Sequence, residues 1–181
     1  MKWLIKYLSG PAIAIVLAMP MATTSAQSLP VDISKTSQAP LQVGETRPGF
    51  QLRDLQGRYR DISEWDGKLI VLNFWATWCP PCLHEIPTFS RLHNELAEDG
   101  LQFLGVALDN PRDVRRFIKA SGMSYPTLYG DKDAALLSKI YGNKHGGLPY
   151  TVIIDRDGAV LSTHLGELQR DQLLTLIQST P

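Results

Sequence analysis

The chain has 181 residues with 18 basic and 18 acidic side chains, 44% hydrophobic residues and two cysteines. A chain this evenly balanced is not built to hold nucleic acid by bulk charge. Its apolar content is enough for one packed domain of ordinary size.

Lys2 and Lys6 precede an apolar run, Ala12 to Met19, bracketed by Pro11 and Pro20 and followed by small residues ending in Thr24-Ser25-Ala26. This pattern predicts a secretory signal peptide over residues 1–26, cleaved after Ala26. The run falls short of the roughly 20 apolar residues a membrane span needs, and retention as an anchor is the alternative. No cysteine lies near the cleavage site to carry a lipid. The 18 basic residues less Lys2 and Lys6 leave 16 against 18 acidic ones, a formal charge of −2. Export implies an oxidising surrounding.

Residues 27–40 are rich in Ser, Thr, Gln and Pro without periodicity and read as a flexible leader, so the domain proper is 41–181. Alternation at Phe50 and Leu52 and a turn in "DLQGRY" predict a hairpin over about 49–62. "KLIVLNF", residues 68–74, is a continuous apolar, β-branched run, the mark of a strand buried on both faces. Leu83, Ile86, Phe89, Leu92 and Leu96 then recur at helical spacing until Gly100. "LQFLGVAL", 101–108, is a second buried strand.

Asn110 as cap with Pro111 at the first helical position begins another helix, which Ser121-Gly122 ends. On that helix Arg112, Arg115, Arg116 and Lys119 share one face, opposite Val114, Phe117 and Ile118. A solvated face is the plain reading of the basic stripe, and docking of an acidic partner the other. A short helix fits 134–141. "TVIID" and "AVLSTH" flank Arg156-Asp157-Gly158 as a hairpin, and Leu173, Leu174 and Ile177 mark a last helix. The order hairpin, βα, βα, α, ββα describes one three-layer α/β domain with a mixed sheet.

Cys79 and Cys82 admit several readings. As a structural staple the pair closes about four residues, worth roughly 2 kcal/mol against about 3 for a fifteen-residue loop, which is little reward in a domain of this size. A structural zinc site needs four ligands, and only His84, His93, His145 and His164 could complete one, without the spacing such sites use. Redox chemistry fits the position better. A strand ending at Phe74, a short turn and a helix beginning after Cys79 put that sulfur at a helix N-terminus, where dipole and free amides favour a thiolate. Cys79 is then the exposed attacker, and Cys82, one turn in, the buried resolving thiol.

Pro80 and Pro81 preset the backbone for helix entry and remove two of the N–H donors nearest Cys79, leaving chiefly the Cys82 amide. The Cys79 thiolate should therefore be less favoured than in a strong oxidant, which predicts a disulfide of mid to low potential and a donor of electrons.

"FWATWCPPC" resembles the thioredoxin superfamily, and "VLNFWATWCPPCLHEIP" together with "GLPYTVIIDRDGAV" is similar to the TlpA/ResA branch of exported thiol-disulfide oxidoreductases. The likeness runs from Gly44 to about Ile177. It implies a thioredoxin-like fold with an N-terminal β-hairpin and a central helical insertion, over 109–146, and a redox-active disulfide between Cys79 as nucleophile and Cys82 as resolving thiol. It further implies Trp78, Pro80 and Pro81 beside the exposed sulfur, a cis-proline at Pro149 that presents the backbone of Leu148 to a client, and a kinking proline at Pro87.

Asn73 stands where thioredoxin has a buried aspartate, and an amide cannot carry a proton away from the resolving thiol. Glu85, three residues beyond Cys82 on the same helix face and matching the branch's glutamate, is the expected proton acceptor or donor. His84 and His145 are candidates to lie near the disulfide.

A peroxiredoxin would need Pro-x-x-x-Thr-x-x-Cys. Counting back from Cys79 meets Ala76 and Leu72, and from Cys82 Cys79 and Trp75, which excludes it. A Cu(I) carrier of the Sco type spaces its cysteines by three and adds a histidine, against two here. The expectation is an exported, periplasmic, monomeric protein-disulfide reductase without cofactor or metal. It would be re-reduced by a membrane thiol-electron transporter, with oxidase or isomerase action as the alternative direction. Clients that fit are apocytochrome c awaiting haem, an oxidase assembly factor, or misoxidised proteins.

Overall fold

A computed structural model describes residues 40–178. The signal peptide expected over 1–26 and all of the leader except Pro40 lie outside the described residues. No helix among the described residues is long and apolar enough to cross a membrane.

The elements are β1 (Gln51–Asp54), β2 (Tyr59–Asp61), β3 (Leu69–Trp75), α1 (Pro80–Leu96), β4 (Leu101–Ala107), α2 (Pro111–Ser121), β5 (Thr127–Tyr129), α3 (Asp131–Ile140), β6 (Tyr150–Ile154), β7 (Val160–Leu165) and α4 (Arg170–Gln178). One seven-stranded sheet runs β2-β1-β5-β4-β3-β6-β7. β3, β4 and β5 pair in parallel and the other neighbours antiparallel. This is the thioredoxin-like α/β architecture, with the hairpin at one edge.

Two differences from the sequence reading stand out. The hairpin gives way after Asp61 to a single 3-10 turn, Ile62–Trp65, whose capping box pairs the Asp61 carboxylate with Ser63 N–H and the Glu64 carboxylate with Asp61 N–H. The central insertion holds not only helices α2 and α3 but also β5, which joins the sheet between β4 and β1. Three residues following Pro126 are too few to display an alternation.

β3 is buried along its whole length. Its strict period of two sends Ile70, Leu72 and Phe74 into one core, with Phe50, Leu104, Tyr141 and Tyr150, and Val71 and Trp75 into the other, with Ile86, Phe89, Phe103 and Val114. Asn73 shares the face of Val71 and Trp75 and is therefore aimed at α1. Along α1, Cys82, Glu85, Ile86, Phe89 and Leu92 are the buried residues, one stripe of the helix. Pro87 sits on the opposite, exposed side within the helix. The chain leaves α1 through a turn whose Gly100 takes φ +85°, a left-handed conformation that glycine adopts without a Cβ clash.

Candidate active site

β3 ends at Trp75, and a tight turn closed by Cys79 N–H to Ala76 C=O (3.2 Å) delivers the chain into α1. Cys79 is the N-cap, with extended backbone (φ −103°, ψ 99°), and Pro80 and Pro81 fill the first helical positions. The Cys82 N–H reaches the Cys79 Sγ at 3.3 Å, the amide left over once the prolines have removed theirs. Cys79 and Cys82 are joined as a disulfide, with their Cα atoms 5.3 Å apart.

The cysteines differ less in access than the sequence suggested. Cys82 is fully buried, and Cys79, the expected exposed attacker, is itself only 5% exposed. The reason lies in the neighbours: both sulfurs belong to the apolar cluster formed by α1, β3 and Ala76, against which Leu148 also packs. What stands in solvent is the rim. Trp78 is 66% exposed and Pro80 and Pro81 are exposed.

The Leu148-Pro149 peptide bond is cis. Tyr150 pairs with Phe74, so Pro149 falls at the end of β3 from which the turn to Cys79 departs. The loop before it is held from inside: Asn143, buried, donates from Nδ2 to Gly147 C=O (2.8 Å) and to Ser138 Oγ (2.9 Å). Gly166 N–H meets Pro149 C=O at 2.9 Å from the other side.

Glu85 is buried, not a solvated helix glutamate. Asn73 Nδ2 donates to its Oε1 at 2.7 Å and Leu168 N–H to its Oε2 at 3.0 Å. The same Asn73 amide donates to Thr151 Oγ1 (3.1 Å), the residue paired with it across β3 and β6. Burial pushes the Glu85 carboxyl up to about 8, and the nearby negative charge of Glu167 adds to this, while the two N–H donors hold it back. The position that cannot ionise in thioredoxin-like fashion, Asn73, thus supports the carboxyl that can.

His84 is exposed, with Nδ1 3.5 Å from Glu167 Oε2, and so lies by the loop that covers Glu85. His145 is exposed in the loop before Pro149. Asp109, Thr77, Thr151, Glu167 and Leu168 were not singled out by sequence reasoning. They are single polar or apolar residues in four separate segments, and their meeting is visible only in the fold. The basic face of α2 remains exposed, with Arg116 paired to Asp113 and Arg115 donating to Leu55 C=O (2.6 Å). Among the described residues no group of three or more His, Cys, Asp or Glu could hold a metal.

Residues 43–163 match the AhpC/TSA family. A thiol-disulfide oxidoreductase ResA of Geobacillus thermodenitrificans is 32% identical over 145 residues, 80% of this chain and 81% of the relative. The chain belongs to this family of thioredoxin-like thiol-disulfide oxidoreductases. The ResA of Halalkalibacterium halodurans is 35% identical over 69% of each chain. Among solved structures, one from Chlorobium tepidum described as a thiol:disulfide interchange protein DsbE superposes with a TM-score of 0.67 at 28% identity, covering 76% of this chain and 99% of that one. The TlpA/ResA resemblance read from the cysteine motif is thereby borne out.

Proposed function

We propose that the protein is an exported protein-disulfide reductase that works through Cys79 and Cys82, with Glu85 as the proton-transfer group. The observation that carries the reading is the placement of a buried carboxyl titrating near 8 one helical turn beyond the buried cysteine, beneath a cysteine that caps a helix.

In the reduced protein the Cys79 thiolate, held by the helix N-terminus, attacks one sulfur of a client disulfide. The other client sulfur leaves as a thiolate, and a mixed disulfide forms. Cys82 gives its proton to Glu85 and attacks the Cys79 sulfur, releasing the second client thiolate and closing the Cys79–Cys82 bond. The client gains two electrons and the protein loses two. Raised to about 8, the Glu85 carboxyl holds its proton far more tightly than an ordinary carboxyl does and can both take and return one near neutral pH, the condition for an efficient general acid–base group. Asn73 assists by its geometry. Its Oδ1 is buried without a hydrogen-bond partner, and a half-turn of the amide would present that oxygen to protonated Glu85.

Trp78, Pro80 and Pro81 form the exposed rim a client meets first, and the Leu148-Pro149 backbone offers an edge along which an extended client segment can lie. Working among oxidised proteins, in the periplasm after cleavage at Ala26, the spent disulfide is re-reduced by a membrane thiol-electron transporter. Apocytochrome c, whose cysteines must be reduced before haem attachment, is a client of the right chemistry. The single Cys82 N–H at the Cys79 sulfur favours the reducing direction over oxidase or isomerase action, because a thiolate with few donors makes a weak oxidant. The two-residue spacing weighs against a copper carrier.

Trapping tests the assignment. In Cys82→Ala the mixed disulfide has no resolving thiol, so clients accumulate covalently on Cys79 and can be identified by mass after non-reducing separation. Equal trapping by Cys79→Ala would reverse the roles of the two cysteines.

A further inference from the structure

We infer that Asp109 is a positioning residue for thiol exchange, holding the turn that carries Cys79 from the neighbouring strand. The inference rests on the thiol-exchange reading above.

The parallel ladder between β3 and β4 ends at Trp75 and Ala107 and is extended by one bond, Leu108 N–H to Trp75 C=O (2.8 Å). Beyond it the two chains part, one turning toward Cys79 and the other into α2. Thr77 N–H lies two residues past the last ladder pair, and an amide in a half-buried residue without an acceptor is costly. Asp109 replaces the missing strand carbonyl with a side chain: its Oδ2 accepts Thr77 N–H at 3.2 Å and also the Thr77 hydroxyl. Its Oδ1 accepts Asn110 N–H at 2.7 Å and Asn110 Nδ2 at 3.2 Å. Asn110 in turn caps α2 through Arg112 and Asp113 N–H.

One carboxylate, 9% exposed, therefore takes four donors and ties the start of α2 to the second residue of the turn Ala76–Cys79. Only a carboxylate can do this. An asparagine offers one acceptor oxygen and turns its own NH2 toward donors. Between Thr77 and Cys79 lies only exposed Trp78, so the tether fixes the turn close to the attacking sulfur, beside the Cys79 N–H to Ala76 C=O bond and the apolar cluster that takes in Cys79. A sulfur displaced from the Cys82 amide is a poorer thiolate, and loss of alignment by about 1 Å can cost up to about a hundredfold in rate.

The full chain is compared as wild type, Thr77→Val, Thr77→Ser and Asp109→Asn. Readouts are the pH dependence of Cys79 alkylation in the reduced protein, kcat/KM for insulin disulfides, and the melting temperature. Thr77→Val, isosteric and uncharged, is expected to move the alkylation profile to higher pH and lower kcat/KM roughly tenfold, and Thr77→Ser, which keeps the hydroxyl donor, to recover most of the loss. Asp109→Asn should slow exchange at least as much, although removal of a nearby negative charge would by itself favour the thiolate. Wild-type profiles and rates in Thr77→Val and Asp109→Asn at temperatures where both are folded, or faster exchange in Asp109→Asn, would overturn the inference whatever the melting temperatures do. If the wild type itself leaves insulin intact, the thiol-exchange reading falls, and the alkylation profiles alone decide whether the tether positions Cys79.

Discussion

Glu85→Gln isolates the buried carboxyl, and its effect can be worked out from the site. Burial, reinforced by the Glu167 charge, raises this group from an ordinary 4.5 to about 8 in the folded protein. Between those values the folded state keeps a proton that the unfolded chain has already released, so the contribution of Glu85 to stability is whole below pH 4.5 and is lost as pH rises through 8. At about 1.4 kcal/mol per pH unit, the interval amounts to roughly 5 kcal/mol, a large share of the 5–15 kcal/mol typical of a domain. Glutamine keeps the volume and does not titrate.

The assay is urea unfolding of the oxidised protein, in which the bonded cysteines do not titrate, at intervals from pH 4.5 to 9. Wild type should lose roughly 5 kcal/mol more than Glu85→Gln over that range, with the steepest divergence between pH 5 and 8. Whatever glutamine costs by turning its NH2 toward Asn73 Nδ2 or Leu168 N–H displaces its curve without changing its slope. Parallel curves for the two proteins would refute the reasoning, because they would mean that Glu85 ionises in the folded state as it does in the unfolded chain.

Trp78→Ala should raise KM for a protein disulfide about tenfold, an effect of the size expected for an exposed aromatic anchor, while leaving the melting temperature unchanged, since a side chain 66% exposed contributes little to the core. Steady-state kinetics on insulin with a thermal melt checks both halves. Gly105→Ala places a methyl 3.0 Å from Thr127 Oγ1, 3.1 Å from Trp75 Nε1 and 3.3 Å from Met123 Cε in the centre of the sheet. It should cost about 1–3 kcal/mol in urea unfolding by overpacking, and a neutral or stabilised variant would show that these side chains yield freely.

The elements that announced themselves were those whose burial pattern is local. β3 and β4 are each buried along all seven residues and read as continuous apolar runs. α1 and α2 carried both periodicity and end signals, the cap at Asn110 and the prolines after Cys79. β5 escaped because three residues hold no period, and it is a strand only because β1 and β4 stand on either side of it. The exposure expected of Cys79 did not hold, since a spacing of cysteines says nothing about the apolar cluster that takes in Cys79 together with Trp75 and Ala76 and against which Leu148 packs.

By itself, the order of residues determined the cysteine pair, its seat at a helix start and the thinning of amide donors by two prolines, because N-terminal helix geometry is settled within a few residues of chain. The tertiary structure alone decided the electrostatics around that pair. Asn73, Glu85, Thr151 and Leu168 come from β3, α1, β6 and the loop before α4, and Asp109 reaches Thr77 across 32 positions. A carboxyl titrates near 8 only where other segments have excluded water from it, and that exclusion is a property of packing.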